Sequence, residues 1–520
     1  MFWADKIAEE AQGPQVINDS KTPSGLIHVG AIRGVAIHYM IYKAMKDRGR
    51  DAAFLYGIDD YDPMDSLPVY LDRNIYAKYM GVPLSMIPAP DGSSKSFSDF
   101  YADDFIDVVN KLGMKPQIYY MHEYYKSGKM NKVIDVVLRN DAKIREIYAR
   151  ISGAQRTEDW LPFQVVCEKC GKIGTTRVFK YDGEKVYYKC EPEMVVWAAG
   201  CGHEGSMSPF DGNGKLPWKL EWVGKWIVLG VTIEGAGKDH SAAGGSREVS
   251  EAICREVFNA KPPLNVPYEF FIVGGKKMSS SRGVGASCRE MYEKLPPEIL
   301  RLLMLRKRPE TAIDFSPDGD SIPRLMNDYD EFSNDYFAPD DEEKKERKRL
   351  FEFIAGDKEI KKLYLPQFTF VAIMVQLPHV DMFKVFETQK GSPLTKDEIE
   401  EIEVRAKYAR VWLENFASEG VKFKVQEKLP DAVSQLSPEQ IKYLESLADA
   451  LSGEEWNGDK LQTAIFTQAN SMSLPQGKAF QAIYSALLGR PSGPRAGWLI
   501  AALDKEFVTE RFSQAAKSIV

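Results

Sequence analysis

Two short segments, about 250 residues apart, carry side chains that could handle phosphate groups. Residues 22–31 read TPSGLIHVGA, and residues 274–283 read GGKKMSSSRG. The first combines glycines with a histidine, and the second combines basic side chains with hydroxyls. Such groups can bind a triphosphate and stabilise a departing pyrophosphate. Because one nucleotide needs groups on both sides of its triphosphate, the two segments together predict a nucleotide site.

The first segment lies where a strand is predicted to turn into a helix. Residues 16–18 suit a β-strand, and from Ile27 onward apolar residues recur at helical spacing. Backbone N–H groups and the dipole at a helix start favour anions, while Gly25 and Gly30 allow close approach to the backbone. His28 can donate to a phosphate or ribose oxygen. The alternative is a core histidine on an amphipathic helix.

The second segment follows residues 270–273 (FFIV), which predict a buried strand ended by two glycines. Three basic residues then surround three hydroxyls; these are Lys276, Lys277 and Arg282 with Ser279, Ser280 and Ser281. Ammonium and hydroxyl groups stabilise the charge that builds on a pyrophosphate leaving group. The alternative is a solvated basic turn.

Together the segments resemble the two marker motifs of class I aminoacyl-tRNA synthetases, usually written HIGH and KMSKS. Here they read HVGA at 28–31 and KMSSS at 277–281. The surrounding sequence is similar to the class I lysyl-tRNA synthetase family. That similarity is carried by residues 57–63 (GIDDYDP), 217–222 (PWKLEW), 237–246 (GKDHSAAGGS) and 488–497 (LGRPSGPRAG). It covers nearly the whole chain, from about residue 13.

The resemblance implies ATP-dependent ligation of L-lysine to tRNA(Lys) through a lysyl-adenylate, with Mg²⁺ accompanying ATP. The implied ATP contacts are Thr22, Pro23, Gly25, His28, Gly30, Lys277, Met278 and Ser279. The implied catalytic positions are His28, Gly30, Lys276, Lys277, Ser279 and Ser280. The general motif has a second lysine where this chain has Ser280, so that charge must come from Lys276, Lys277 or Arg282.

A lysine pocket needs a carboxylate for the ε-ammonium group and aromatic faces for the aliphatic stem. By the resemblance, the pocket positions are Ser20, Thr22, Trp218, His240 and Tyr268, although relatives tend to have glycine in place of Ser20. Asp59 and Asp60 follow a predicted strand and are the candidate acids. The alternatives are that Trp218 belongs to the core and that Asp59 caps a helix or turn.

Two other activities stay open. One is a different class I synthetase, for glutamate or arginine, and the other is a non-catalytic, zinc-bearing paralogue that binds tRNA. An acidic amino acid would demand a basic pocket, and the pair Asp59 and Asp60 argues against that. A non-catalytic paralogue would need no intact ATP loops, yet both are present.

Four cysteines have spacing typical of a metal site. Cys167 and Cys170 form a CxxC knuckle, and Cys190 and Cys201 follow, with His203 as an alternative fourth ligand. Such a set predicts one closed, tetrahedral structural zinc site, which would fold its segment rather than catalyse. The alternative is a set of reduced cysteines without a metal.

The order of patterns predicts an α/β Rossmann-like catalytic domain on a parallel sheet, with a zinc-bearing insertion, followed by an all-α C-terminal domain. The expected boundaries are 1–87 and 216–270 for the split nucleotide-binding domain, 88–215 for the insertion, 271–335 for the phosphate loop and linking helices, and 336–520 for the all-α domain. By the resemblance, this last domain binds the anticodon.

Composition limits the class of protein. The chain has 520 residues, a net charge of −7 and six cysteines, so any RNA contact must come from local basic surfaces and a disulfide scaffold is excluded. No N-terminal apolar segment typical of a signal peptide is visible, and the best apolar run is too short to cross a bilayer. We therefore expect a cytoplasmic protein with no membrane partner. We also expect a monomer, although composition does not bear on the oligomeric state.

Overall fold

The computed structural model describes residues 1–274, 276–277, 286–339, 341–377 and 380–518. Met278, Ser279, Ser280 and Arg282 of the predicted phosphate loop lie outside the described residues, and only the backbone is described for Lys276 and Lys277. The chain forms two compact units. The first is Met1–Phe315 with Pro339–Glu359, and the second is Ser316–Ala338 with Ile360–Val520.

A parallel sheet is the centre of the first unit. Its strands are β1 (Gln15–Lys21), β2 (Ala52–Ile58) and β3 (Gln117–Tyr120), in the order β1-β2-β3. Both pairings are parallel, with Ile17 opposite Phe54 and Ile58 opposite Tyr120. Parallel pairing requires a crossover, and helix Ala31–Asp47, buried along most of its length, connects β1 to β2. The predicted Rossmann-like parallel sheet is thus confirmed.

Residues that precede the cysteine region in the chain and residues that follow it both contribute to this sheet. Ile233 forms a parallel bridge with Ile17 of β1, and Leu264 forms a parallel bridge with Ile233. The chain therefore returns beside β1 after the cysteine region. On the other edge, β3 lies inside the range 88–215 that the sequence assigns to the insertion. Four residues are too short a run to identify as a strand from sequence, so only the pairing with β2 reveals it.

The first unit contains further elements. Its helices are Trp3–Glu10, Ala31–Asp47, Arg73–Tyr76, Phe97–Lys111, Met121–Lys126, Asn131–Arg139, Asp141–Ser152, Trp218–Leu229, Lys238–Ser241, Ser246–Glu256, Cys288–Lys294, Pro297–Leu305 and Lys345–Ala355. Its other strands are Gln164–Val165, Thr176–Tyr181, Val186–Cys190, Glu204–Met207, Gly214–Lys215, Phe271–Val273, Lys276–Lys277 and Ile313–Asp314.

The cysteine region is built on a small antiparallel sheet. Strands Thr176–Tyr181, Val186–Cys190 and Glu204–Met207 pair in that order. The turn between the first two is fixed by Asp182, whose carboxylate accepts the backbone N–H groups of Glu184 and Lys185 at 2.9 and 2.7 Å. Gln164–Val165 pairs with Gly214–Lys215 and closes the start of the region against its end.

The second unit is helical throughout its described residues, as predicted. Its helices are Ser321–Phe337, Phe368–Met374, Met382–Lys390, Lys396–Asn415, Pro438–Ser452, Gly458–Ser471, Gln476–Leu488, Ala496–Ala501 and Lys505–Lys517. Capping boxes start two of them, at Thr395 with Glu398 and at Ser437 with Gln440. Helix Ser321–Phe337 groups with this unit, whereas the sequence assigns nearly all of it to the linking region.

Candidate active site and metal centre

A cavity of about 960 Å³ opens at the carboxyl ends of β1 and β2, where ligands bind in open parallel sheets. Eight of the predicted site residues line it; these are Ser20, Thr22, His28, Gly30, Asp59, Trp218, His240 and Tyr268. The cavity therefore brings together residues up to about 250 positions apart. Pro23, Gly25 and Asp60 are buried and are not among its lining residues.

The first phosphate segment is held by backbone contacts to residues 286–288, which lie a few positions after the second segment. Val29 N–H donates to the carbonyl of Ala286 at 3.0 Å, and Cys288 N–H donates to the carbonyl of Ile27 at 2.9 Å. His28 and Ser287 form an antiparallel bridge between these bonds. The residues around His28 are thus fixed to residues 286–288 by main-chain hydrogen bonds.

The strand that leads into the second segment also borders the cavity. Phe271–Val273 pairs in parallel with Ile313–Asp314 and antiparallel with Lys276–Lys277. Phe270 and Phe271 line the cavity. The backbone of both lysines therefore belongs to a hairpin whose first strand borders the site.

Asp59 already has a cation as its partner. Lys225, on helix Trp218–Leu229, has its Nζ 2.9 Å from Asp59 Oδ1, and it also donates to Ser20 Oγ at 2.7 Å. Ser20 in turn donates to Asp59 Oδ2 at 3.1 Å. Lys225 is 4% exposed and both neighbours are partly buried. Sequence analysis missed Lys225, which lies on helix Trp218–Leu229 three residues after the PWKLEW stretch.

A second buried lysine orients Thr22. Lys215 is 1% exposed; its Nζ pairs with the carboxylate of Asp62 and lies 3.0 Å from Glu221 Oε2. Thr22 Oγ1 donates to the other oxygen of Asp62 at 2.7 Å. Burial disfavours the charged ammonium group, but Asp62 and Glu221 together raise the pKa of Lys215 above its usual range. Lys215 belongs to strand Gly214–Lys215, so the cysteine region reaches the predicted pocket directly.

Asp60 points away from this network. It is fully buried, accepts the backbone N–H of His122 at 2.9 Å and pairs with the imidazole of the same residue. Burial raises the pKa of Asp60, and the contacts with His122 oppose that rise. Successive side chains of an extended segment point to opposite sides, so only one of two adjacent aspartates can face the cavity. The structure places Asp59 there and Asp60 against His122.

Aromatic side chains form one wall of the cavity. Trp218 is 46% exposed, and its ring meets the ring of His240 edge to face at 5.5 Å, which excludes the core interpretation of Trp218. Tyr268 is joined to the GKDH stretch by backbone bonds: Lys238 N–H donates to the carbonyl of Tyr268 at 2.9 Å, and Gly237 bridges the same residue. Such a wall suits an aliphatic stem that ends in a cation.

The four cysteine sulfurs converge. The Sγ atoms of Cys167, Cys170, Cys190 and Cys201 all lie within 4.8 Å of one another, with Cys167 to Cys201 and Cys170 to Cys190 both at 3.7 Å. Zn–S bonds of about 2.3 Å in a tetrahedron place sulfurs roughly 3.8 Å apart. The donor set thus fits a Zn²⁺ ion. The imidazole of His203 lies outside the cluster, 3.8 Å from a carboxylate oxygen of Glu168.

No helix in the described part of the chain is both long and apolar enough to span a membrane.

Known protein families match residues in both compact units. The family described as "tRNA synthetases class I (K)" matches residues 1–357, and the family described as "Anticodon binding domain" matches residues 412–516. The chain is 34% identical to a lysine–tRNA ligase of Methanosarcina barkeri over 538 residues, covering 99% of this chain and 98% of that protein. The lysine–tRNA ligase of Archaeoglobus fulgidus is also 34% identical, over 522 residues, with 99% and 100% covered.

Among solved structures, the chain matches that of a glutamate tRNA ligase from Elizabethkingia meningosepticum. It matches with a TM-score of 0.42 and 13% identity, and the match covers 98% of this chain and 100% of that one. A likeness at that score bears on neither fold nor function.

Proposed function

Since this chain belongs to the class I tRNA synthetase family for lysine, we propose that it ligates L-lysine to tRNA(Lys) with ATP, through a lysyl-adenylate. The carboxylate of lysine attacks the α-phosphorus of ATP and releases pyrophosphate. The terminal ribose hydroxyl of the tRNA then attacks the activated carbonyl and releases AMP. The observation that carries the proposal is the cavity that brings the first phosphate segment together with the predicted lysine pocket, with residues 286–288 bonded to that segment by their backbone.

Little covalent chemistry is asked of the protein, so positioning and charge stabilisation supply the rate. His28 and Gly30, before helix Ala31–Asp47, hold the phosphates of ATP at a helix start that favours anions. Lys276, Lys277, Ser279 and Ser280 stabilise the departing pyrophosphate together with Mg²⁺. Pro23 and Gly25 shape the turn that presents His28 and do so from buried positions.

The lysine pocket consists of the wall formed by Trp218, His240 and Tyr268, together with Thr22 and Ser20, which line the same cavity. Support comes from the exposed face of Trp218 and from the hydrogen bonds that orient Thr22 and Ser20 through buried acids. These acids are held by Lys215 and Lys225. Asp59 therefore acts by orienting Ser20, and its charge is matched before any substrate binds.

The all-α unit is proposed to bind the anticodon of tRNA(Lys), supported by the match over residues 412–516. We propose a monomer, since one chain supplies both the catalytic and the anticodon-binding parts. The proposed location is the cytoplasm, where thiolate metal ligands stay reduced.

We expect purified protein to contain about one zinc ion per chain, bound by Cys167, Cys170, Cys190 and Cys201. Cys170→Ser should reduce the zinc-to-protein ratio, because a three-thiolate site holds the ion less tightly. His203→Ala should leave the ratio unchanged, since its imidazole lies outside the cluster. Elemental analysis of both variants measures this. A ratio near zero in the unaltered protein would contradict the zinc site.

Charging assays test the activity directly. The protein with ATP, Mg²⁺ and total tRNA should form lysyl-tRNA and should form neither glutamyl-tRNA nor arginyl-tRNA. Carboxylates line the same cavity as the aromatic wall and disfavour an acidic substrate, whereas the expectation against arginine rests on the full-length similarity to lysine–tRNA ligases. Charging with glutamate or arginine in place of lysine would favour another class I synthetase. No charging with any amino acid would favour the non-catalytic paralogue.

A further inference from the structure

Asp19 is a buried carboxylate at the carboxyl end of β1 that none of the roles above uses. It lines the cavity, and its side chain is 13% exposed. One oxygen, Oδ1, accepts the backbone N–H of Ser20 at 2.9 Å. Among the described residues, no hydrogen bond reaches Oδ2. A carboxylate oxygen that borders the cavity and has no donor is free to accept a hydrogen bond from a ligand group.

The other buried carboxylates of the cavity are already satisfied. Asp59, Asp62 and Glu221 each have a lysine ammonium group within 3.0 Å or closer. Glu234 has no such cation among the residues that the structure describes, but each of its oxygens accepts one side-chain N–H, from Asn18 at 2.9 Å and from Trp226 at 2.5 Å. Within the described part of the chain, Asp19 has neither a lysine or arginine within 4 Å nor a donor on its second oxygen.

The imidazole of His38, which lies beside Asp19 Oδ2, is held by the backbone as a neutral ring. Nδ1 of His38 lies 3.7 Å from Oδ2, but it makes a 2.8 Å hydrogen bond to the carbonyl of Gly34 and therefore carries the proton. Nε2 of His38 accepts the backbone N–H of Gly235 at 2.8 Å and therefore carries none. Both ring nitrogens are thus committed to the backbone, and the imidazole supplies no positive charge to Asp19.

Asp19 Oδ2 and the hydroxyl of Tyr268 share one corner of the cavity. A Cβ atom placed on Gly34 would lie 2.7 Å from Asp19 Oδ2 and 2.8 Å from the hydroxyl oxygen of Tyr268. The two oxygens are therefore neighbours above a residue without a side chain. Burial raises the pKa of Asp19, and the contacts with His38 and with the backbone N–H of Ser20, together with Lys21 and Lys225, offset that rise only in part. An ammonium group bound in this corner of the cavity could donate hydrogen bonds to the carboxylate of Asp19 and to the hydroxyl oxygen of Tyr268.

We infer that Asp19 determines substrate specificity by pairing with an ammonium group of the bound lysine. The inference rests on the proposed function. It assigns to Asp19 the ionic contact with the substrate that Asp59 does not supply, because Asp59 is already paired with Lys225. Lysine carries two ammonium groups, at its α and ε positions, and the shared chemistry is a charge-assisted hydrogen bond to a desolvated carboxylate.

The test is Asp19→Asn, which keeps the shape of the side chain and removes its charge. The KM for lysine in tRNA charging should rise about 10- to 100-fold, as expected for loss of a hydrogen bond between charged groups. The KM for ATP should stay within about twofold. Asp51→Asn, an exposed carboxylate just before β2, is the matched control and should leave both constants unchanged.

Two analogues identify which ammonium group is bound. 6-Aminohexanoate retains only the ε-ammonium group, and norleucine retains only the α-ammonium group. Asp19→Asn should weaken competitive inhibition by the analogue whose ammonium group pairs with Asp19. If Asp19→Asn is poorly folded, as judged by melting temperature, Asp19→Ser replaces it in the same assays.

Unchanged KM for lysine and unchanged inhibition by both analogues would overturn the role of Asp19. That result leaves the proposed function standing, provided that the unaltered protein charges tRNA with lysine. Failure of the unaltered protein to charge lysine refutes the proposed function instead, so the two failures are distinguishable.

Discussion

Replacing Lys215 by methionine should lower the free energy of unfolding of the first unit by about 3–5 kcal/mol, because it leaves Asp62 and Glu221 buried without their cation. Methionine has nearly the length of lysine, so the change removes charge with little change in volume. Asp62 also accepts the hydroxyl of Thr22, so the KM for lysine should rise as well. Urea denaturation followed by tryptophan fluorescence, together with charging kinetics, measures both effects.

Lys185→Met is the matched control for Lys215→Met. Lys185 is exposed at the turn of the small antiparallel sheet, so its replacement should change the unfolding free energy by less than about 0.5 kcal/mol. If Lys215→Met were as stable as this control, the buried pairs would contribute nothing net. The contacts from Lys215 through Asp62 to Thr22 would then not stabilise the first unit.

Replacing Lys277 by alanine should slow adenylate formation about 10²- to 10³-fold, the usual cost of losing one group that stabilises developing negative charge. The backbone hairpin Phe271–Val273 with Lys276–Lys277 borders the cavity, which puts this position beside the proposed phosphate site. Binding of tRNA should change little, because the all-α unit is unaltered. Single-turnover formation of adenylate in the presence of tRNA and a separate tRNA-binding titration measure the two quantities.

Lys261→Ala provides the comparison, since Lys261 is an exposed lysine in the same unit and outside the cavity lining. Equal rates for Lys277→Ala and Lys261→Ala would remove Lys277 from the mechanism. Lys276→Ala and Arg282→Ala, tested in parallel, identify which side chain supplies the charge that Ser280 lacks.

Motifs with fixed local geometry were predictable from sequence. The turn at residues 22–31 before a helix and the parallel sheet follow from short-range patterns, because strand and helix periodicities are local properties. The CxxC knuckle is equally local, and its four sulfurs do converge. The all-α nature of the second unit was predictable for the same reason.

Pairings between distant residues were not predictable. Asp59 and Asp60 are adjacent and chemically identical, yet one faces Lys225 and the other His122, which lie 166 and 62 residues away. The neighbours of a buried carboxylate determine whether its charge is available to a ligand. Composition and spacing carry no information about those neighbours.

The sequence alone determined the class of chemistry, through two phosphate segments and the stretches around them, because each motif's local geometry is encoded in consecutive residues. Only the tertiary structure decided which acids remain available to a substrate. Lys215 and Lys225 neutralise Asp62 and Asp59. Both ring nitrogens of His38 are bonded to the backbone, and no lysine or arginine of the described residues lies within 4 Å of Asp19. Burial makes an unmatched charge costly, so the availability of each carboxylate depends on long-range packing.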